Sequence, residues 1–539
     1  MPRNSIRPRT VYPVVDLFAG PGGLGEGFSA FECDGFTPFD VRLSIEKDPI
    51  ACATLELRKL FRRFESPPAE FAAYFAGQID RAALLAAFPT EARIARERTW
   101  VAELGRVSRR SVMQRVRRAV GKSRDWVLLG GPPCQAYSIV GRARMRGRQD
   151  FEHDERHLLY REYLQIVADH EPAIFVLENV KGLLTSKHGG SRIVTRILDD
   201  LGAPAQSLGI ARRGSTRYRL YALGQRQIVM PWMNERPGDG QEFLLQAEEY
   251  GIPQSRHRIF IVGVRSDLHG RLGALERRPE TTAGSVLSDL PAIRSTLTRE
   301  ADSLECWRQA LQAIRSQEWM SRPENAATAR EIRATLKELA KLELTPGRIN
   351  APYRGPPLTL SDWYRFNASG ITQHEARSHM RDDLHRYLYC SCYARAHKRS
   401  PLLRDFPKEL YPKHQNISRA VENRVFGDRF RVQLADCPST TITSHVSKDG
   451  HYYIHYDPVQ CRSLTVREAA RLQTFPDSYF FEGNRTEQYH QVGNAVPPLL
   501  AREIAGQVFD LLSTKAHIQL AFPTVAERSV RRDSTRPRP

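Results

Sequence analysis

Two short motifs carry the residue types that covalent chemistry on an electron-poor ring requires. Pro132-Pro-Cys-Gln135 follows the apolar run Trp126-Val-Leu-Leu129, and Glu178-Asn-Val180 follows the apolar run Ile174-Phe-Val-Leu177. Apolar runs of this length, bounded by turn residues, predict buried parallel strands. Because chemistry in an open α/β sheet gathers at the carboxyl ends of the strands, we expect a thiol to face a carboxylate there. A soft nucleophile beside an acid can add to such a ring and protonate it.

A glycine-rich turn near the N-terminus predicts a nucleotide-type cofactor site. Residues 11–17 are predicted to form the first strand, residues 18–25 the turn, and residues 27–31 the start of a helix. Gly20, Gly22 and Gly25 have the dinucleotide-binding spacing, and Glu46 falls where a second strand would end. Such a turn lets the backbone approach a cofactor, and the carboxylate can accept from ribose hydroxyls. On its own, this pattern fits NAD as well as S-adenosylmethionine.

Composition restricts the class of binding partner and the cellular compartment. Eighty Lys and Arg against 61 Asp and Glu leave a net charge of +19, which favours a polyanionic partner, although a soluble protein can simply be basic. Eight cysteines in 539 residues are too sparse for a disulfide scaffold. No apolar run approaches the ~20 residues of a membrane helix, and the N-terminus lacks the apolar core of a signal peptide. We therefore expect an intracellular protein with reduced thiols and two domains.

Six sequence blocks resemble, in the same order, those of the DNA (cytosine-5)-methyltransferases. They are Asp16-Leu-Phe-Ala-Gly-Pro-Gly-Gly23, Gly130-Gly-Pro-Pro-Cys-Gln-Ala-Tyr-Ser138, Asp154-Glu-Arg-His-Leu-Leu159, Leu177-Glu-Asn-Val-Lys-Gly182, Gln254-Ser-Arg-His-Arg258, and the pair 462–476 with Gln491-Val-Gly-Asn-Ala-Val-Pro497. The stretch between 270 and 440 matches no family block. The resemblance implies an α/β, S-adenosylmethionine-dependent methyltransferase (Rossmann-like) fold with an inserted, smaller target-recognition domain.

By this resemblance, S-adenosylmethionine would be held by residues from several blocks. They are Phe18, Ala19, Gly20, Gly22, Gly23, Glu46, Pro132, Leu159, Asn494 and Ala495. Phe18 is assigned to the adenine or sulfonium region and Glu46 to the ribose. Asn494 and Ala495 are expected to start the final helix and to return to the pocket beside Phe18. The acidic residue that the family uses for the adenine amino group is matched only poorly, by Asp80 in Gly77-Gln-Ile-Asp80.

The resemblance also assigns catalytic roles to Cys134, Glu178, Asn179, Arg256 and Arg258. Cys134 would add to C6 of a flipped cytosine, and Glu178 would hydrogen-bond N3 and the exocyclic amine. Asn179 would hold the loop or the base. Strand alternation puts Arg256 and Arg258 on the same side, where one would contact the base or its phosphate and the other would brace Glu178. The arginine-rich loop after Cys134 would close on the DNA.

The chain is predicted to divide into four segments. Residues 11–265 form the first part of the catalytic domain, 266–440 the target-recognition domain, 441–512 the return to the catalytic domain, and 513–539 a largely disordered tail. Thr465 and Glu468 predict a capping box at the start of a helix. Cys390 and Cys392 lie near three histidines, at 374, 379 and 385, which suggests zinc. The Cys-x-Cys spacing is not that of a zinc knuckle and the histidines are interpreted as one helix's polar face, so we predict no metal.

Residues 51–125 form a segment longer than the resemblance implies, and their composition is mostly helical. Its end is basic, with Arg106, Arg109, Arg110, Arg115, Arg117, Arg118, Lys122 and Arg124. This stretch could lie along the DNA backbone, where phosphate contacts give affinity without sequence information. A solvated helix face is the alternative for any single one of these residues.

The predicted function is methylation of C5 of cytosine in a specific sequence of double-stranded DNA, in restriction–modification or phage defence. We expect a cytoplasmic, prokaryotic monomer, with a cognate restriction endonuclease or defence-system proteins as candidate partners. A transfer-RNA cytosine methyltransferase would carry a Cys-Phe-Thr tripeptide, which the sequence lacks. A catalytically silent DNA-binding regulator would have lost Cys134, Glu178 or a cofactor glycine. An NAD-dependent oxidoreductase is suggested by the glycine turn alone.

Overall fold

The computed structural model describes most of the chain. It covers residues 9–132, 155–188, 191–210, 214–224, 228–229, 240–353, 358–412, 428–448 and 450–521. The predicted nucleophile Cys134 and the arginine-rich loop that follows it lie outside the described residues. Among the described residues, no helix is both long and apolar enough to cross a membrane.

A central sheet organises the described part of the chain. The strands there are β1 (Tyr12–Leu17), β2 (Phe39–Glu46), β3 (Thr99–Val101), β4 (Val127–Gly130), β5 (Ile174–Val180), β6 (Lys187–His188), β7 (Ser191–Arg192), β8 (Tyr218–Ala222), β9 (Ile228–Val229), β10 (Leu244–Gln246), β11 (Gln254–Ser255), β12 (His257–Arg265), β13 (Gly347–Ala351), β14 (Ile371–Glu375) and β15 (Ser439–Thr440). Nine of them form one sheet in the order β3-β2-β1-β4-β5-β12-β8-β9, with β10 paired to the start of β12.

The pairing in this sheet confirms that the two apolar runs form neighbouring parallel strands. Strands β3, β2, β1, β4 and β5 are parallel, and β12 lies antiparallel between β5 and β8. Gly130 at the end of β4 is in register with Leu177 of β5, so the first motif follows β4 and the second forms the end of the neighbouring strand β5. The strand order reverses at β1, which is where ligands bind in open α/β sheets.

Helices cover both faces of the sheet and build the smaller domain. The helices of the described residues are α1 (Gly23–Ala30), α2 (Pro49–Phe61), α3 (Ala69–Phe75), α4 (Arg81–Ala87), α5 (Pro89–Glu97), α6 (Arg109–Val120), α7 (Glu155–His170), α8 (Gly182–Thr185), α9 (Ile193–Gly202), α10 (Pro204–Ser207), α11 (Gly284–Leu287), α12 (Leu304–Gln312), α13 (Ala326–Leu339), α14 (Ser361–Tyr364), α15 (Arg381–His397), α16 (Val466–Leu472), α17 (Arg485–Asn494) and α18 (Pro498–Ala521). Helices α1 and α18 share one buried cluster with the sheet, whereas α6, α7 and α9 share the cluster on its other face.

Three element boundaries differ from the predictions. Helix α1 begins at Gly23 rather than at 27, because Gly22 takes a left-handed conformation (φ 98°) and closes the turn early. Asn494 and Ala495 end α17 and do not start the final helix, which begins at Pro498. A proline is well placed at the first position of a helix, whereas the residue before a proline favours extended backbone. Helix α18 continues to Ala521, into the predicted tail, since residues 513–521 include good helix formers.

A second core belongs to the smaller domain. Helices α12, α13 and α15 pack around it, with Trp307, Trp319 and Tyr389 almost fully buried. The cluster also includes Ile454 and Cys461, which come from beyond the predicted boundary at 440. The chain therefore returns to the catalytic sheet after contributing these residues to the smaller domain.

The three histidines near the cysteine pair do not form one helix's polar face, so that interpretation was wrong. His374 lies in β14 and is fully buried, His379 is buried before α15, and only His385 lies within α15. The Nε2–H of His374 donates to the Pro291 carbonyl oxygen (2.8 Å), and its Nδ1 faces the Thr465 hydroxyl (3.0 Å). Among the described residues, no group of three or more His, Cys, Asp or Glu side chains is arranged to hold a metal ion.

Helix α16 connects the two domains, and its capping box is confirmed. The Thr465 hydroxyl accepts from the Glu468 amide (3.1 Å), and the Glu468 carboxylate accepts from the Thr465 amide (2.7 Å). The same carboxylate receives two hydrogen bonds of 2.7 Å from the buried Arg462 guanidinium. Burial would raise the pKa of Glu468, but Arg462 and His455 hold it well below its usual range.

Burial of His374 makes the stability of this region depend on pH. Burial lowers the pKa of His374 from 6.5 to about 4. Between these values the unfolded chain binds more protons than the folded chain, so the free energy of unfolding should fall as the pH is lowered from 6.5 towards 4. We predict that His374→Asn reduces this pH-dependent loss of unfolding free energy by about 3 kcal/mol at most, as measured by urea unfolding at several pH values. An unchanged pH dependence in the variant would contradict the assignment.

Candidate active site

The turn after β1 has the strained backbone of a ligand-binding loop. Phe18 (φ 54°) and Gly20 (φ 55°) both adopt left-handed conformations, which are costly for a phenylalanine. The Ala19 amide donates to the Ile45 carbonyl oxygen (3.1 Å), and the Gly20 amide donates to Oε2 of Glu46 (2.9 Å). The turn is therefore fixed to the end of β2 by its own backbone.

Glu46 is oriented by main-chain donors from both sides. Its Oε1 accepts from the amides of Lys47 (2.8 Å) and Asp48 (3.0 Å), in addition to the bond from Gly20 to Oε2. Asp48 then caps α2 by accepting from the Ile50 amide (2.8 Å). A half-buried carboxylate held in this way has remaining lone pairs for the hydroxyls of a ribose. A methyl group built on Gly20 would meet no atom of the described residues within 4 Å, so these residues leave space beside the turn for a cofactor.

Residues near the C-terminus close against this turn. A methyl group built on Gly23 would lie 2.1 Å from the Val496 carbonyl oxygen, so only glycine allows this approach. Ala495 is buried, and its carbonyl oxygen accepts from the Gln473 side chain. Asn494 is exposed and its amide nitrogen lies 3.2 Å from Nδ1 of His490. The last sequence block thus packs against the glycine turn at Gly23.

A carboxyl group and an amine line a cavity next to the turn. Buried Asp16 and half-buried Lys59 line this cavity of about 490 Å³ together with Gly22 and Gly25. Burial raises the pKa of Asp16 to about 7, an effect that Lys59 opposes, and burial lowers the pKa of Lys59 to about 7. The Lys59 ammonium donates to the Ser44 hydroxyl at 2.9 Å. These contacts support the strands from which the turn projects.

The acidic residue at the end of β3 is Glu103 and not Asp80. Asp80 accepts from the Ala83 amide (2.8 Å) and caps α4. Glu103 follows β3, and the Ala102 amide beside it donates to the Glu46 carbonyl oxygen (2.8 Å). The Glu103 carboxylate lies 3.8 Å from the Lys47 ammonium. The sequence analysis missed this position because β3 has only three residues within a helical segment, although Trp100 and Val101 are typical strand residues.

Glu178 and Arg258 form an ion pair at the carboxyl end of β5. Nε of Arg258 lies 3.1 Å from Oε1 of Glu178, and both side chains are mostly buried. The Arg258 guanidinium also donates to the His257 carbonyl oxygen (2.8 Å). Burial lowers the pKa of Arg258, and Glu178 opposes that fall. Arg258 is therefore the arginine that braces the carboxylate.

Asn179 ties the end of β5 to the end of β4. Its Nδ2 donates to the Pro132 carbonyl oxygen (3.3 Å), and its Oδ1 accepts from the Val180 amide (2.8 Å). Pro132 stands two residues before Cys134 in the sequence. Close contact continues at Gly131, where a methyl group would lie 3.0 Å from Oε2 of Glu178. The backbone that leads to Cys134 is thus held beside the Glu178 carboxylate.

Arg256, from the same motif, contacts the segment around Ile442. Its guanidinium is buried and donates to the Ile442 carbonyl oxygen (2.9 Å), while its Nε has no hydrogen-bond partner in the described part of the chain. Burial and the neighbouring Arg258 lower the pKa of Arg256 well below its usual range, an effect that Glu178 opposes. Arg256 is therefore a buried cation beside the ion pair.

Two groups of predicted residues thus meet at one edge of the sheet. Phe18, Ala19, Gly20, Gly22, Gly23 and Glu46 form the first group, and Pro132, Glu178, Asn179 and Arg258 form the second. Leu159 packs on the core beside them, close to Gly105 after β3.

Comparison with known proteins shows which family the chain belongs to. The family model of the C-5 cytosine-specific DNA methylases matches residues 117–203 and 241–510. The chain belongs to this family. It is a DNA (cytosine-5)-methyltransferase, and its substrate is DNA. Membership of the family excludes the NAD-dependent oxidoreductase that the glycine turn alone suggested.

Named relatives cover most of this DNA methyltransferase. The type II methyltransferase M.Bpa9945I of Bacillus paralicheniformis is 29% identical over 530 residues, which cover 93% of the chain and 99% of the relative. The type II methyltransferase M.AgeI of Thalassovita gelatinovora is 29% identical over 395 residues, 70% of the chain and 81% of the relative. The DNA (cytosine-5-)-methyltransferase M.ApeKI of Aeropyrum pernix is 27% identical over 419 residues, 72% of the chain and 81% of the relative.

The Arg258–Glu178 pair provides a test of the methyltransferase site. In Arg258→Met the Glu178 carboxylate loses its cationic partner. Removal of one partner of a buried ion pair costs about 3–5 kcal/mol of stability. We predict that kcat for DNA methylation falls about 10²- to 10³-fold, while KM for DNA changes little. Arg258→Lys, which keeps a positive charge, should recover part of the loss. A near-wild-type kcat in Arg258→Met would show that the pair is not required.

Proposed function

We propose that this methyltransferase transfers the methyl group of S-adenosylmethionine to C5 of a cytosine flipped out of a specific duplex sequence, through covalent addition of Cys134 to C6. The observation that carries the proposal is the contact between the ends of β4 and β5. Asn179 and the Pro132 carbonyl oxygen hold the approach to Cys134 next to Glu178. A thiol and a carboxylate are thus supplied by neighbouring strands, as attack on a pyrimidine ring requires.

The covalent step makes C5 reactive. Attack of the Cys134 thiolate forms the sulfur–C6 bond and moves electron density towards C5 and N3. Glu178 hydrogen-bonds N3 and the exocyclic amine and stabilises the charge that develops there. S-adenosylmethionine, when bound, supplies the electrophilic methyl group. C5 bonds to this methyl carbon as its bond to the sulfonium breaks, and S-adenosylhomocysteine is the leaving group. Loss of the C5 proton to water then forms the C5–C6 double bond, the sulfur–C6 bond breaks, and Cys134 leaves as a thiolate.

Arg258 and Arg256 act on this step through Glu178 and the DNA. Arg258 holds the carboxylate by the 3.1 Å ion pair, so it is a positioning residue. Arg256 adds a second buried cation and supports the backbone at Ile442 through a 2.9 Å hydrogen bond. Desolvated charges of this kind stabilise developing charge more strongly than charges in water.

The residues beside the β1 turn fit S-adenosylmethionine. Glu46 would accept from the ribose hydroxyls, and Phe18 would lie against the adenine or sulfonium region. Ala19, Gly20, Gly22 and Gly23 would allow the backbone to approach, and Pro132, Leu159, Asn494 and Ala495 would complete the pocket. We assign the adenine amino group to Glu103, which stands after β3 beside Glu46 and carries the acceptor that this amine requires.

The type II names of the relatives support a role in restriction–modification or phage defence. In that role the partners of the protein are double-stranded DNA and a cognate restriction endonuclease or defence-system proteins. The enzyme would act in the cytoplasm. It would act as a monomer, because base flipping and one recognition domain require no second copy.

Sequencing of plasmid DNA tests the function and the nucleophile together. In a methylation-free host, expression of the wild-type chain should place C5-methylcytosine in one short motif, as read by bisulfite or nanopore sequencing. Cys134→Ser should abolish the mark, because a hydroxyl is a far weaker nucleophile than a thiolate. A mark that persists in Cys134→Ser would refute the covalent mechanism. Absence of a mark from the wild-type chain would refute DNA methylation by the protein alone.

Cofactor affinity tests the assignment of the two carboxylates. Glu46→Gln and Glu103→Gln should each raise the Kd for S-adenosylmethionine about 10- to 100-fold, which corresponds to loss of one hydrogen bond to a charged group. Isothermal titration calorimetry without DNA gives this Kd directly. Asp80→Asn is the matched control, since asparagine also caps helices and we expect an unchanged Kd. A weakened Kd in Asp80→Asn together with an unchanged Kd in Glu103→Gln would reverse the assignment.

A further inference from the structure

Helix α6 has one apolar face and one face of uncompensated positive charge. Val112, Val116 and Val120 are buried in the core cluster beneath the sheet. The helix sequence contains five arginines and no acidic residue. We define the basic strip as the exposed side chains Arg110, Arg115, Arg117, Arg118 and Lys122.

The arginines at the start of this segment differ from those of the strip. Arg106 pairs with Glu103 (3.1 Å) and Arg109 pairs with Asp169 (2.6 Å). Within the part of the chain that the structure describes, no ion pair is recorded for any residue of the basic strip. Arg115 lies over the Trp100 ring at 4.5 Å, a contact that leaves its charge unneutralised.

The spacing within the strip costs stability in the free protein. Arg118 is three residues from Arg115, so these two like charges are neighbours on the helix surface. Like charges at this spacing destabilise a helix. A polyanion that lies along the helix would remove this repulsion and release its own counterions.

The position of α6 separates the strip from the active site. The helix starts after β3, close to Glu103, and near its end the Ala119 carbonyl oxygen accepts from Arg42 of β2 (3.4 Å). It therefore runs from the carboxyl edge of the sheet towards the opposite edge. A helix of 12 residues is about 18 Å long, so the strip extends that far from the strand ends where the target base reacts.

We propose that the basic strip is a sequence-independent docking surface for the phosphate backbone of duplex DNA outside the recognised sequence. The substrate of the enzyme is DNA, and DNA has the high, regular charge density that a row of arginines along a helix can contact. Arginine forms bidentate hydrogen bonds with phosphate, which suits a surface that contacts backbone and not bases. The strip gives affinity for long DNA, and the residues at the strand ends perform the reaction. The proposal rests on DNA as the substrate and is independent of the covalent mechanism.

Neutralisation of one stripe of the helix tests this surface. The triple variant Arg110→Gln, Arg118→Gln, Lys122→Gln removes three exposed charges of the strip, two within α6 and one just after it, and glutamine keeps the helix propensity. The control triple Arg330→Gln, Lys337→Gln, Lys341→Gln removes the same net charge from exposed positions in and after α13, where acidic residues are interspersed. Binding to a long duplex without the recognition motif is measured by fluorescence anisotropy over a range of salt concentrations. Methylation kcat is measured on a short duplex that spans only the motif.

The docking surface predicts separate effects on binding and on catalysis. The slope of log K against log salt should become shallower by about 2–3 in the α6 triple, since each phosphate contact contributes about 0.9. The control triple should keep the wild-type slope, and all three proteins should have the same kcat on the short duplex. An unchanged slope in the α6 triple, or an equal change in both triples, would overturn the proposal. A lower kcat of the α6 triple on the short duplex would place the strip at the target site and also overturn it.

Discussion

Three buried guanidinium groups on and before α16 hold the two parts of the described structure together. Arg462, Arg467 and Arg471 have almost no exposure to solvent. Arg462 is bound by Glu468 at 2.7 Å, and Arg471 by Asp477 at 2.7 Å. Arg467 donates to the Thr372 carbonyl oxygen (3.0 Å) and to the Pro476 carbonyl oxygen (2.9 Å). A buried charge is tolerated only when its donors are satisfied, so these acceptors must stay in place for the protein to fold.

The acceptors belong to different parts of the chain, and further hydrogen bonds connect this region to the active site. Thr372 lies in β14 of the inserted region, whereas Gln254 precedes the strand that carries Arg258. The Gln254 side chain donates to the Leu472 carbonyl oxygen at the end of α16 (2.8 Å) and accepts from the Ile442 amide (3.1 Å). The same backbone at Ile442 accepts from Arg256. Ile442, the end of α16 and the segment that carries Gln254 and Arg256 are therefore one hydrogen-bonded unit.

Much of the catalytic half could be predicted because its signals are local. Strand β4 and most of β5 are short apolar runs, as the sequence predicts, and Thr465 with Glu468 forms the capping box that their spacing indicates. The predictions were wrong where contacts between distant segments determine the local structure. His374 and His379 are buried among neighbours from distant segments, and Gly23 is required by the approach of Val496. The assignments of S-adenosylmethionine contacts and of the recognition boundary at 440 remain predictions.

The proposed mechanism requires that the Cys134 thiol and the Glu178 carboxylate at the end of β5 act on one cytosine. Mass spectrometry of the enzyme incubated with S-adenosylmethionine and a duplex containing 5-fluorocytosine at the target tests it most directly. Fluorine replaces the proton that must leave C5, so the adduct cannot be resolved. Covalent catalysis by Cys134 predicts a stable protein–DNA adduct that maps to Cys134 and is absent from Cys134→Ser. An adduct on another residue, or its formation in Cys134→Ser, would contradict the account.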